Sequence, residues 1–259
     1  MTLQQLQRGA AVLLALALST AATAAGTAGT LHVYGPGGPG PAMQEAANEF
    51  GAIHRVKIVV TTGPTSAWAD EAKQDADIIF SGAENMMSDL AKVFPGLFEL
   101  ADAEPLFLRP AVILVRPGNP KHIKGFRDLL APGVKILAVA GSGQIGLWED
   151  VAGRTGDIVL VSGFRRNLVL PEAETGSAAR VQWTTRKDID AWLVWDTWQF
   201  ANPQLADVVP LEEPFRIYRD TGVVLTAKGK RDTQAQAFID YLETPGAKAI
   251  FDRWGWNAR

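Results

Sequence analysis

Two glycine-rich turns in this 259-residue chain carry the residue types that hold an anion. The first lies in LHVYGPGGPGPAMQEAANEF, Leu31 to Phe50. Leu31, Val33 and Tyr34 read as a short buried strand. Gly35 to Pro41 then force a turn, glycine by reaching positive φ and proline by fixing φ. Pro41 suits the first turn of a helix, whose early N–H groups lack intrahelical partners anyway. The amides of Gly37, Gly38 and Gly40 therefore lie near a helix N-terminus, where the macrodipole favours negative charge. The second turn, in VKILAVAGSGQIGLWEDVAG, Val134 to Gly153, offers Gly141, Ser142, Gly143 and Gln144. Gly141, Gly143 and Gly146 satisfy G-x-G-x-x-G after a strand. A dinucleotide site would need an acidic residue ~20 positions on, whereas DIVLVSGF, Asp157 to Phe164, reaches Ser162 instead. Without the acid, the geometry is an oxyanion cradle of neutral donors, strengthened by preorganisation and a dry cleft.

Ligands of open parallel sheets bind beyond the carboxyl ends of the strands. That rule adds Thr61 and Thr62, then Ser81, Gly82 and Asn85 after DIIF, and Arg165 or Arg166 after DIVLVSGF. Adjacent residues of an extended segment point apart, so only one of the two arginines faces a cleft. Its guanidinium would grip carboxylate or phosphate bidentately. Ser177 is a weaker addition, and Glu84 serves the dipole of its helix. Each position also has a plain structural reading: a tight turn, a β-branched strand residue, a cap, or a solvated arginine.

Signatures of catalysis are missing. His32, His54 and His122 are scattered without metal-ligand spacing. No G-x-S-x-G elbow occurs, and Glu172 and Glu174 read as solvated charge. Cysteine is absent, which excludes disulfides, thiol catalysis, thiolate metal sites and a lipid-modified cysteine. Neither cofactor nor metal is expected. The net charge of −3, with no dense basic run, also argues against nucleic acid as a partner.

The elements that must position these residues alternate. Strands are expected at 31–34, 56–61, 77–80, 111–116, 134–139, 158–161, 181–184, 192–195 and 222–227. Helices are expected at 41–51, 66–74, 84–92, 125–130, 144–154, 173–179, 187–190, 231–243 and 245–253. Such alternation predicts mainly parallel sheets with helices on both faces. Ahead of them, Arg8, the apolar run AAVLLALALS and Ala22-Thr23-Ala24 form a cleavable export signal over 1–24. The apolar run is shorter than the ~20 residues of a membrane span. Cleavage leaves roughly 235 residues, enough for two domains, soluble and unlipidated in a Gram-negative periplasm. Val115 to Leu130, broken by Pro117, Gly118, Asn119 and Pro120, reads as a connection between two lobes, and Glu212 to Gly229 as the return. Two crossings, near Arg109 and Thr221, suit closure around a ligand.

With its export signal and two crossings, AVILVRPGNPKHIKGFRDLLAPGVKI resembles the hinge of the type II periplasmic solute-binding proteins, in particular the molybdate- and sulfate-binding branch. More specifically, LHVYGPGGPGPAMQEAANEF, DIIFSGAENMM and GQIGLWEDVAGR resemble the accessory colonisation factor AcfC family across essentially the whole mature chain. The resemblance implies two α/β lobes, 25–108 plus 223–259 and 109–222, with a ligand cleft between them. It implies small ligands bearing oxyanions, including phosphorylated or carboxylated metabolites, and it places Trp195, Asp196 and Thr197 at a strand end that meets the ligand. Asp196 would repel a bare anion, so its fitting roles are to accept from a ligand hydroxyl or to orient an arginine. The expected function is capture of a small anionic solute for an inner-membrane transporter, with a homodimer left open. Two alternatives are an exported hydrolase on the same lobes and a surface or adhesion protein with a vestigial cleft.

Overall fold

A computed structural model describes residues 29–257; the export signal read over 1–24 lies outside them. Strand β1 (Leu31–Gly35) leads into helix α1 (Gly40–His54), followed by β2 (Ile58–Thr62), α2 (Ala69–Asp75), β3 (Ile78–Phe80) and α3 (Glu84–Val93). The long β4 (Glu104–Val115) carries the chain across to β5 (Ile136–Leu137), α4 (Leu147–Gly153), α5 (Ile158–Asn167) and α6 (Gly176–Thr185). Then come β6 (Ala191–Trp195), α7 (Thr197–Ala201) and β7 (Asp207–Pro210). Strand β8 (Tyr218–Leu225) returns the chain to α8 (Thr233–Leu242) and α9 (Pro245–Arg253).

The strands follow the order β2-β1-β3-β8-β4-β6-β5, with β7 also on β4. β1 is parallel to β2 and β3, and β5 is parallel to β6. The ladders joining these blocks are antiparallel, because β4 and β8 run in opposite senses between them. β4 pairs with β8 from Glu104↔Val223 to Pro110↔Tyr218, then passes to β6 at Ala111↔Trp195. The result is a mixed α/β fold of two lobes hinged on one two-stranded ribbon.

Apolar residues sort into cores on either side of that ribbon. β1, β3, α1, α8 and α9 bury Val33, Phe50, Phe80, Phe238 and Phe251 in one cluster, while Tyr34, Trp68, Ile79 and Phe94 pack in a second. Across the ribbon, Ile113, Phe126, Phe164 and Leu193 form a third core, and Val112, Leu137, Trp183 and Trp192 a fourth. Each block of sheet thus has helices on both faces, and every residue of β6 is buried.

Four expectations from the sequence are corrected. Residues 158–161 are the start of α5, whose buried Leu160, Gly163 and Phe164 keep helical spacing, and Asp157 caps it by accepting from the Val159 N–H at 2.8 Å. Residues 181–184 belong to α6, where Gly176, Ala179 and Trp183 face inward at i, i+3 and i+7. Both apolar runs were short enough for strand and helix to compete, and the caps decide for helix. Residues 187–190 form a turn. Val115 to Leu130 is not an interlobe connection: Ile123, Phe126 and Leu129 sit in the second lobe's core, and β4 itself makes the crossing.

Candidate functional site

Between the lobes lies a cavity of about 150 Å³. Its floor is Arg109, the one guanidinium on the hinge strand to be buried, at 3% exposure. Nη2 donates to the carbonyl of Gly82 at 2.6 Å. The guanidinium lies 5.0 Å from the ring centre of Trp195 and 4.3 Å from that of Trp256, a cation–π arrangement on both. Burial works against the charge on Arg109, and Asp196 and Asp220 work for it. Nε has no hydrogen-bond partner among the described residues. A buried cation with unused donors beside a cavity is an anion site in waiting, because desolvation strengthens any pairing it makes.

The first lobe supplies Gly37, Gly38, Pro39, Gly63, Gly82 and Met86 to the wall. None of Gly35, Gly37, Gly38 or Gly40 has positive φ, and Gly35, Gly38 and Gly40 serve space instead. A Cβ at Gly38 would stand 3.1 Å from Arg109 Nη1, and one at Gly35 would stand 2.5 Å from the Phe80 ring. Bare backbone at Gly38 therefore lets the turn leading into α1 come up to the guanidinium. The first turn of α1 has Pro39 as N-cap, no side-chain cap and no acidic residue, so its free amides and dipole are left for an outside anion.

The second lobe contributes Gly143, Gln144, Thr175, Gly176, Ser177, Trp195 and Trp198. Thr175 caps α6 by accepting from the Ala178 N–H at 3.1 Å, and α6 also has no acidic residue in its first turn. Only glycine fits at 176, where a Cβ would lie 2.4 Å from Trp198. Trp195 donates to the carbonyl of Gly143 at 3.1 Å. A Cβ at Gly143 would be 3.4 Å from the Met86 methyl and 3.5 Å from the carbonyl of Gly82, so the lobes meet at this point.

Of the residues nominated from sequence, Gly37, Gly38, Gly82, Gly143, Gln144 and Trp195 line the cavity, as does Ser177. Thr61 and Thr62 do not: they end β2, Thr62 packs against Gly40, and the next residues, Gly63 and Pro64, reach the wall. Ser81 is fully buried with Oγ unpartnered and, like the free Oδ2 of Asp220, flanks Gly222 of the hinge strand. Asn85 is exposed on α3 and borders a separate groove. Gly141 lies under the chain, its Cβ position 2.2 Å from the Glu174 carbonyl. Arg165 is corrected outright: with α5 helical, Arg165 and Arg166 are exposed in its last turn, away from the cavity. Asp196 and Thr197 are buried behind the wall, with Asp196 Oδ1 and Thr197 Oγ1 unpartnered. Burial raises Asp196 to about 7, while Arg109 and the Thr197 backbone N–H pull it down. The side chain of Ser142 lies outside what the structure describes.

Arg109 and Thr175 were missed as site residues. Arg109 had a signal: it is a lone charge in the strand run PLFLRPAVILV, and a charge in such a setting must have a partner or a task. Thr175 had one too, as a cap residue just before AARVQW.

Two hinged α/β lobes around a glycine-lined cavity with a buried arginine define a ligand-binding protein of the periplasmic type II kind. Residues 31–257 match the family described as bacterial extracellular solute-binding protein, and the chain belongs to it. It is similar to Peb3 from Campylobacter jejuni, at 35% identity and TM-score 0.81, covering 88% of this chain and all of that one. A structure of PEB3 bound to L-phospholactate matches at 34% identity and TM-score 0.82, again over 88% of this chain and all of that one. The sulfate-binding protein SubI from Mycobacterium tuberculosis shares the fold at 18% identity and TM-score 0.68, over 88% of this chain and 86% of its own. In sequence, a sulfate-binding protein from Synechococcus elongatus is 23% identical over 201 residues, 71% of this chain, and the chain spans 57% of that relative's length.

Proposed function

We propose that this solute-binding protein captures a small organic anion bearing phosphate or carboxylate between its lobes, in the periplasm, and presents it to an inner-membrane transporter. The observation that carries the reading is the convergence on one cavity of Arg109, the Gly37–Pro39 backbone that leads into the acid-free start of α1, and the acid-free first turn of α6. Charge-assisted hydrogen bonds from the guanidinium and free amides are the strong kind for oxyanions. The cavity, at about 150 Å³, has room on the order of ten waters, more than a bare tetrahedral oxyanion fills. L-Phospholactate, the ligand of the PEB3 complex, joins a phosphate and a carboxylate in one small molecule, and the similarity to Peb3 supports the AcfC resemblance. The separation of the cores by β4 and β8 supports lobes of 25–108 plus 223–259 and 109–222. The export signal over 1–24, together with the family's extracellular character, supports the location.

A thermal-shift screen of L-phospholactate, phosphoglycerates, citrate, sulfate and molybdate tests the reading. A true ligand at about a hundredfold over Kd contributes about 2.7 kcal/mol, or roughly 5–10 °C for a chain this size. No shift with any of them, or turnover of a phosphate ester, would overturn it.

A further inference from the structure

Arg109 is shared by two buried carboxylates. Asp196, at the end of β6, and Asp220, on β8, are 6% and 8% exposed and both act on the guanidinium. Neither forms a direct ion pair with it among the described residues, and each keeps one oxygen unpartnered, Oδ1 on Asp196 and Oδ2 on Asp220. Asp220 has another donor, the Glu84 N–H of α3 at 3.2 Å. Asp196 has less support. On its own turn it meets the Thr197 N–H. At the C-terminal turn its Oδ1 comes within 3.2 Å of where a Cβ on Gly255 would stand, with no charge to offer. From β4 it faces Arg109. Glu84, itself pushed up by burial and by Asp220, adds negative charge nearby.

Fully ionised, this cluster already holds more negative than positive charge before a ligand arrives. A bound anion on Arg109 would add to that excess within a low-dielectric hinge, where like charges repel strongly. Resting on the anion-binding reading above, we propose that Asp196 takes up a proton when an anion binds at Arg109, so that the guanidinium's charge is released from Asp196 to the ligand. Asp196 acts here as a positioning residue, through Arg109, and the free protein stands at the midpoint of the change: burial holds its carboxyl near neutral pH. Arg109 remains cationic throughout. The sign follows. Protonation of Asp196 favours binding, so affinity is constant below about pH 7 and falls above it, by up to tenfold per pH unit where the free form is ionised and the complex is not.

The test is calorimetric titration with L-phospholactate between pH 7 and 9, where a phosphate ester is already dianionic, in HEPES and in Tris. Wild-type protein should take up a fraction of a proton at pH 7, rising towards one at pH 8.5. Asp196→Asn should take up none, lose the fall of affinity with pH, and bind more tightly than wild type at pH 9. Equal proton uptake in wild type and variant, or none in wild type, would overturn the inference while leaving anion binding in place. Absence of binding by wild type to L-phospholactate, and then to phosphoglycerates, citrate, sulfate and molybdate, would overturn the reading and the inference together. Should Asp196→Asn fail to fold, the ¹³C-carboxyl signal of Asp196 in labelled wild type decides: a shift to the protonated position on adding ligand at pH 8 supports proton uptake, and an ionised signal contradicts it.

Discussion

The turns Gly35–Gly40 and Gly141–Gly146 look alike in sequence and do different work in the fold. The first passes without a break into the 15-residue α1, and Gly37, Gly38 and the N-cap Pro39 line the cavity. The second breaks into a short 3₁₀ turn at Ser142–Gln144, then Gly146 turns left-handed at φ 70° before the 7-residue α4 begins. Gly143 and Gln144 still line the wall, but the helix start has moved past it. The second lobe presents the N-terminus of α6 instead. A glycine run after a strand is therefore not enough to deliver a helix dipole to a ligand. What counts is that the helix begins at the residue facing the cavity.

The largest effect should come from the guanidinium that the first turn encloses. Arg109→Met removes a charged donor worth roughly 1.5–3 kcal/mol, or about ten- to more than a hundredfold in affinity for L-phospholactate by calorimetry. Circular dichroism of the variant should match wild type.

Next, one alanine in each turn separates their roles. Gly38→Ala sets a methyl 3.1 Å from Arg109 Nη1 and should weaken binding roughly tenfold, the loss of about one hydrogen bond. Gly146→Ala forces a side chain into positive φ and should cost about 1 kcal/mol of stability, roughly 2–4 °C in Tm, with affinity unchanged. If Gly146→Ala lost affinity and Gly38→Ala did not, the roles assigned to the two turns would be reversed.

Thr175→Ala tests the helix that replaces the second turn. Losing the cap should cost about 1 kcal/mol of stability and weaken binding a fewfold, because Gly176 and Ser177 lose their anchor beside the cavity.

A further effect, read in stability and not in affinity, is a pH trend in the ligand-free protein. Asp196 binds its proton up to about pH 7 when folded, against 3.8 for the ordinary carboxyl. Between those values the folded state holds more protons than the unfolded one, so this group makes stability fall as pH rises from about 4 to 7. In urea titrations Asp196→Asn should flatten that slope.

The strands and helices of the first lobe were legible because LHVYG, DIIF and the Pro41 helix start combine short, almost wholly buried apolar runs with firm turn chemistry. The sequence misled where local signals were balanced. In DIVLVSGF, apolar residues satisfy both periods, and the cap at Asp157 tips it to helix. That error carried Arg165 into the predicted site. Arg109 was hidden for a different reason. Its neighbours Gly38, Gly82, Trp195 and Trp256 come from distant parts of the chain, and nothing local says that a strand arginine will meet them. The glycines before α1 were expected to supply positive φ, whereas Gly38 and Gly35 leave room for a guanidinium and an aromatic ring.

A crystal structure of this protein soaked or co-crystallised with L-phospholactate tests the central claim most directly. The expected result is an oxyanion between the lobes, within hydrogen-bond reach of Arg109 Nη1 and of backbone N–H groups at the starts of α1 and α6. An anion bound elsewhere, such as the groove beside Lys135 and Arg166, with Arg109 contacting protein alone, would contradict it.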